Sequence, residues 1–242
     1  MRIKRIFLAP LFVLLAAMAM QTMAQNSKLE VSRVDFDEIR RETTNPYSKY
    51  YYDKLVASFN SNNTNMNFEP YRYLYYGYVF QPDYNPAIEN SFSDKDEVEE
   101  LYYKQELTRD DCNKIEDYAV RALDNNMFDI DQITYYIYAL KQKKKFARAQ
   151  VRLCRLEMLI AAIMSSGRGT EKEPWVVIFP DHEYILINFL GYVAEQEPES
   201  LHNGRIDCIT AHEENNTRNT KKFYFDVSKM YEVYREKNPS NF

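Results

Sequence analysis

The chain has 242 residues, 45% hydrophobic and 28% charged, and its 31 Lys and Arg against 36 Asp and Glu give a formal charge of −5. That length allows one large domain or two small ones with a proper core. The acidic balance argues against general nucleic-acid binding, which rests on clustered Lys and Arg, and three cysteines are too few for a disulfide framework.

The first residues read as a targeting segment. "MRIKR" supplies positive charge, "IFLAPLFVLLAAMAM" is uncharged and apolar, and "QTMAQ" places Thr22 and Ala24 at small-residue positions. This is the order of a secretory signal peptide, so residues 1–24 are expected to be cleaved and the mature chain to be periplasmic or secreted. The apolar run falls short of the ~20 residues that a spanning helix needs. No later stretch does better, so no membrane span is expected in the mature chain.

From about Pro46 to Gly167 the periodicity is helical. Two segments there are similar at an offset of 62 residues, "NNTNMNFEPYRYLYYGYVFQPDYNPA" and "DNNMFDIDQITYYIYALKQKKKFARA". Phe68 falls on Ile130, Tyr73 on Tyr135, Tyr76 on Tyr138, Gly77 on Ala139 and Tyr84 on Phe146. Such self-similarity predicts stacked helical hairpins, and it resembles tetratricopeptide repeats, whose first helix reads W-x-x-L-G-x-x-Y. The copies here are Tyr73-x-x-Tyr76-Gly77-x-x-Phe80 and Tyr135-x-x-Tyr138-Ala139-x-x-Gln142. Their spacing exceeds the ~34 residues of a regular array, and Pro82 and Pro86 interrupt the first hairpin. The acidic "SDKDEVEE" (93–100) lies between the copies and predicts a solvated helix start.

At ~100° per residue, Tyr73, Tyr76 and Phe80 share one side of the first helix and are expected in the core. Gly77 lets a neighbouring helix come close. Tyr71, Leu74, Tyr75 and Tyr78 form the other side, which is either core or a surface for a partner. Tyr71, Leu74 and Tyr78, with Tyr136 of the second copy, are therefore the candidate partner-binding residues.

Beyond Pro174 the pattern is that of strands. "WVVIFP" (175–180) and "YILINFLGY" (184–192) are continuous apolar runs. "GRIDCITAHEE" (204–214), with Ile206, Cys208 and Thr210 on one face, is joined by "NNTRNT" to "KKFYFDVS" (221–228) as a hairpin. "SKMYEVYREK" has the Ser start and basic end of a terminal helix. The expected fold is α+β: a tetratricopeptide-like helical region (25–169), then a small antiparallel sheet with a short C-terminal helix (170–242).

"LYYGYVFQPDYNP", "GRIDCITAHEE" and "KKFYFDVSKMYE" together resemble a family of secreted Bacteroidetes proteins, domain-of-unknown-function family 4919. The resemblance covers almost the whole mature chain. It implies an extracytoplasmic setting and an order of helices followed by sheet, and it assigns no activity to any residue.

Motifs for chemistry are sparse. None of the five glycines forms a phosphate-cradling or dinucleotide loop, and there is no G-x-S-x-G elbow. "HEYIL" and "HEENN" lack the second histidine of a zinc helix. No metal and no cofactor is expected. His182, His202 and His212 lie in the C-terminal region with Asp181, Glu183, Asp207 and Cys208, which keeps an envelope hydrolase or metal-dependent enzyme as an alternative. "KQKKKFARAQVRLCR" is read as a solvated helix face or a dock for "SDKDEVEE", with an anion site as the alternative. Cys112 and Cys154 are a candidate pair, and Cys208 a buried thiol. The 21 tyrosines support a second alternative, a glycan-binding module. The leading expectation is a non-enzymatic extracytoplasmic interaction or scaffold module, its partner an envelope protein or peptide.

Overall fold

A computed structural model describes residues 30–61, 64 and 66–239, so the expected signal segment lies outside the described residues. Short polar side chains cap three of the helices. The Asp35 carboxylate accepts from the Asp37 and Glu38 N–H groups at the head of α1 (Phe36–Thr44). After α2 (Tyr52–Asn60) and α3 (Phe68–Gly77) come α4 (Lys95–Leu101) and α5 (Arg109–Asn125). The head of α5 is closed by a reciprocal Thr108–Asp111 capping box. Asp129 caps α6 (Ile130–Gln142), and α7 (Phe146–Met164) follows a tight turn. In that turn Lys144 takes φ +58° while the Lys145 N–H reaches back 2.8 Å to the Leu140 carbonyl.

Helices α5, α6 and α7 pack consecutively against one another, and α3 lies on α7 with α1 and α2 on its other side. The overlaid segments start their helices in step, at Phe68 and Ile130. Gly77 is where α3 touches α1: a Cβ there would meet Thr43 Cγ2 at 2.7 Å. "SDKDEVEE" starts α4 and docks on α5 rather than on the lysine-rich turn, through Lys114–Glu97 at 2.7 Å and Arg121–Asp94.

The sheet is smaller than its apolar runs suggested. β4 (Ile206–Glu213) and β5 (Asn216–Asp226) form the expected hairpin, with Ile209 opposite Phe223. β2 (Tyr192–Ala194) and β3 (Glu199–Leu201) share the other edge of β4. β1 is only Trp175–Val176, and it pairs with β5 in parallel, not antiparallel as expected. The run "YILINFLGY" is mostly helix, α8 (Asp181–Phe189), because a short continuous apolar run suits a buried helix as well as a strand. The buried face of β4 carries Asp207, Ile209 and Ala211, and Cys208 is buried on the opposite face. α9 (Ser228–Lys237) closes the chain as expected.

The tyrosines explain why 177–180 is not strand. Tyr76 and Tyr84 donate to the Val176 and Ile178 carbonyls at 3.1 and 2.6 Å, and the Tyr75 hydroxyl accepts the Ile178 N–H at 3.2 Å. Phenol hydroxyls thus satisfy backbone groups that a neighbouring strand would otherwise pair. One hydrophobic cluster runs from Val34 through α3 and α7 to the sheet and Val233 of α9. A second joins α4, α5 and α6 around the stacked rings of Tyr102 and Tyr135.

Candidate functional site

The basic run opening α7 is divided by its packing. Lys143, Lys145 and Arg148 converge on the buried Glu116 of α5 at 2.7, 3.2 and 2.8 Å. Burial would push the Glu116 carboxyl up, but hydrogen bonds from Lys143 and Lys145 and the Arg148 charge outweigh it and hold the carboxyl below its usual range. Arg148 also donates to the Tyr136 hydroxyl at 2.7 Å. At helical spacing from Arg148, Arg152 and Arg155 continue the same stripe toward a cavity of about 180 Å³.

Four helices build this cavity. α2 contributes its last residues, Phe59 and Asn60; α5 contributes Val120, Leu123 and Asp124; and Met127 follows in the α5–α6 turn. Ile133 and Tyr136 of α6 and the two arginines of α7 complete the lining. The Arg152 guanidinium lies 4.9 Å from the centroid of the Tyr136 ring and is half-buried. It makes no ion pair and no hydrogen bond among the described residues. Arg155 is only 7% exposed, lies 4.2 Å over the Phe59 ring and donates to the Phe59 carbonyl. Burial, with the Arg152 charge beside it, pushes Arg155 down to about 10, so it stays cationic at neutral pH. The cavity therefore presents two cations, one acid and an apolar wall.

A second polar centre is enclosed in the core. His182 Nε2 is 3.0 Å from the Phe128 carbonyl, which can only accept, so Nε2 carries the proton. Nδ1 then accepts from the Tyr75 hydroxyl at 2.7 Å. Next in α8, Glu183 is 1% exposed and its Oε1 has no hydrogen-bond partner. Burial, then the charges of Asp207 and Asp181, raise its carboxyl well above the usual value.

The three histidines do not share a site. His182 is in the core, His202 approaches Glu171 at 3.9 Å, and His212 approaches Glu195 at 3.5 Å. Among the described residues no group of three or more His, Cys, Asp or Glu is placed to hold a metal ion. Cys112, Cys154 and Cys208 are all free thiols; Cys154 donates to the Thr64 carbonyl instead of pairing with Cys112.

The residues expected to face a partner are buried within the chain. Tyr71 packs edge-on to Phe59, Leu74 is fully enclosed, and the Tyr78 hydroxyl reaches Asp83 at 3.2 Å. A helix apolar nearly all round is covered nearly all round. Of the side expected in the core, Tyr76 is fully buried but Tyr73 and Phe80 are only half-buried; the side left open between core and partner surface, Tyr71, Leu74, Tyr75 and Tyr78, is buried. Tyr136 is also buried, but its ring lines the cavity. Arg152 and Arg155 belong to the basic run for which an anion site is the alternative reading, and their helical spacing within it is what sets them on the cavity.

A family model for a domain of unknown function (DUF4919) matches residues 37–236. The chain belongs to this family. The DUF4919 match runs from the first turn of α1 to the last turn of α9, so the arginine cavity and the Tyr75–His182 centre both lie inside it. No curated protein and no solved structure matches the chain.

Proposed function

We propose that this DUF4919 chain is a non-enzymatic, extracytoplasmic binding module whose arginine cavity receives part of a partner polypeptide, from an envelope protein or peptide. The observation that carries this is Arg152, a half-buried cation in the lining of a part-apolar cavity, without an acidic partner among the described residues. Lys143, Lys145 and Arg148 of the same run instead share the Glu116 carboxylate. The consecutive packing of α5, α6 and α7 and the register of the two similar segments support a tetratricopeptide-like arrangement, in which hairpins present surfaces to polypeptides. The signal-like order of the first residues supports the compartment.

The test is a peptide-display selection on purified protein and on Met127→Trp, which fills the cavity. Peptides with a common apolar position should be enriched on the native protein and lost on a Met127→Trp variant of unchanged melting temperature. Equal enrichment on both, or none on either, would rule the cavity out.

A further inference from the structure

The cavity is small. Its ≈180 Å³ is slightly more than the ~150 Å³ in which a buried apolar cavity binds benzene, and below the ~300–1,000 Å³ of clefts for drug-sized ligands. It has room for about one residue.

Its charge is also particular. Arg152 and Arg155 lie against the rings of Tyr136 and Phe59, which hold the guanidinium groups while the N–H groups of Arg152 meet no acceptor among the described residues. A planar fork of this kind matches a carboxylate in two-point contact. Asp124 lines the same cavity. It disfavours a phosphate dianion by like-charge repulsion, and it can accept a backbone N–H. Leu123 and Met127 supply the apolar wall.

Resting on the binding role above, we propose that the cavity captures the C-terminal residue of a partner polypeptide, with the terminal carboxylate on Arg152 and an apolar last side chain against Leu123 and Met127. A chain end satisfies the one-residue volume, the cation and the wall together. An internal acidic side chain would leave the apolar wall unfilled.

The experiment is a titration, followed by chemical shifts of the labelled protein, with acetyl-Ala-Ala-Leu as the free acid and as the amide. Acetyl-Ala-Glu-Ala amide is the third probe. The free acid should bind about tenfold or more tightly than either amide, with shifts centred on Leu123, Met127 and Tyr136. Arg152→Gln should erase that difference, and Arg152→Lys should keep part of it. Both variants should stay folded, since Arg152 makes no ion pair among the described residues and the Tyr136 ring contact that Arg152→Gln loses is worth little. Equal binding of acid and amide, lost in Met127→Trp, would overturn the carboxylate and leave the cavity as a binding site. Equal binding of the internal glutamate probe would overturn the choice of a chain end. Binding by none of the three, or binding that persists in Met127→Trp, would overturn the proposal. If the display selection nevertheless enriches internal peptides that Met127→Trp loses, the binding role survives that result.

Discussion

The Tyr75 hydroxyl donates to His182 Nδ1 at 2.7 Å and accepts the Ile178 N–H at 3.2 Å, joining α3 to a segment about a hundred positions later. Tyr75→Phe removes that oxygen and leaves a buried ring nitrogen and a buried amide unpaired. The expected cost is about 1–3 kcal/mol. Tyr73→Phe, whose hydroxyl lies at the surface beside Glu38, should cost far less. Urea midpoints of the two variants check the order; equal losses would show that the Tyr75 bonds are not what the core depends on.

The pH profile of stability should be a dome. Burial lowers His182 from its ordinary 6.5 to about 4, so the unfolded chain binds the extra proton between those values. Stability therefore falls as pH drops from 6.5 through about 4. Glu183 acts in the opposite sense. Its raised carboxyl contributes fully below its ordinary 4.5, and that contribution is lost as pH rises through the folded value. Asp207, raised chiefly by burial, adds to the same loss. Tyr75 of α3, Tyr184 of α8 and Tyr231 of α9, with Arg235 beside Tyr231, complete the groups in electrostatic reach of this pair. Glu183→Gln should flatten the alkaline limb and spare the acid limb. Melting curves from pH 4 to 9 decide it, and an unchanged alkaline slope refutes the assignment.

The two sides of α3 should respond differently to truncation. Leu74→Ala empties a fully enclosed site and should cost about 2–5 kcal/mol. Tyr73→Ala forfeits a stacked contact with Tyr50, rings 3.8 Å apart, at an edge open to water. Such pairs are worth about 0.5–1.5 kcal/mol beyond area, so the total should stay below that of Leu74→Ala. Gly77→Ala forces Thr43 aside and should cost about 1–3 kcal/mol. Thermal denaturation giving Tyr73→Ala the largest loss would contradict this packing.

Glu116 holds three cations, and Lys143 beside it is almost as buried. Glu116→Ala would strand that lysine, for which about 3–5 kcal/mol is the usual penalty. Glu116→Ala with Lys143→Met should recover much of the loss. Chemical denaturation of the four members of this cycle measures it, and simple additivity would mean the pair is not coupled.

How much of this was legible follows from what each pattern encodes. The hairpin of 206–226 announced itself by turn residues between alternating segments, and the terminal helix by its Ser start. Continuous apolar runs carry no period, so 184–190 gave no means of choosing helix over strand. Which side of α3 lies deepest depends on α7 and on the 175–180 segment, neither of which is local to it. The cavity was hidden for a related reason. Arg148 and Arg152 are alike in the sequence, and only the position of Glu116 on another helix gives the first an acidic partner that the second lacks among the described residues.

Both ends of the described chain are fastened around α3. Arg72 of α3 joins the Ser32 carbonyl and the Ser165 hydroxyl, while Lys237 donates to the carbonyls of Gln81, Pro82 and Tyr84 at 2.8–3.1 Å. A chain emerging from its N-terminus therefore makes α1, α2, α3 and α7 first, and the Lys237 contacts can form only once the last helix has been synthesised. Contacts of such long sequence separation form slowly and late. Until the last helix arrives, the carbonyls of Gln81, Pro82 and Tyr84 lack the cation that ties them, so the loop after α3 is fastened last.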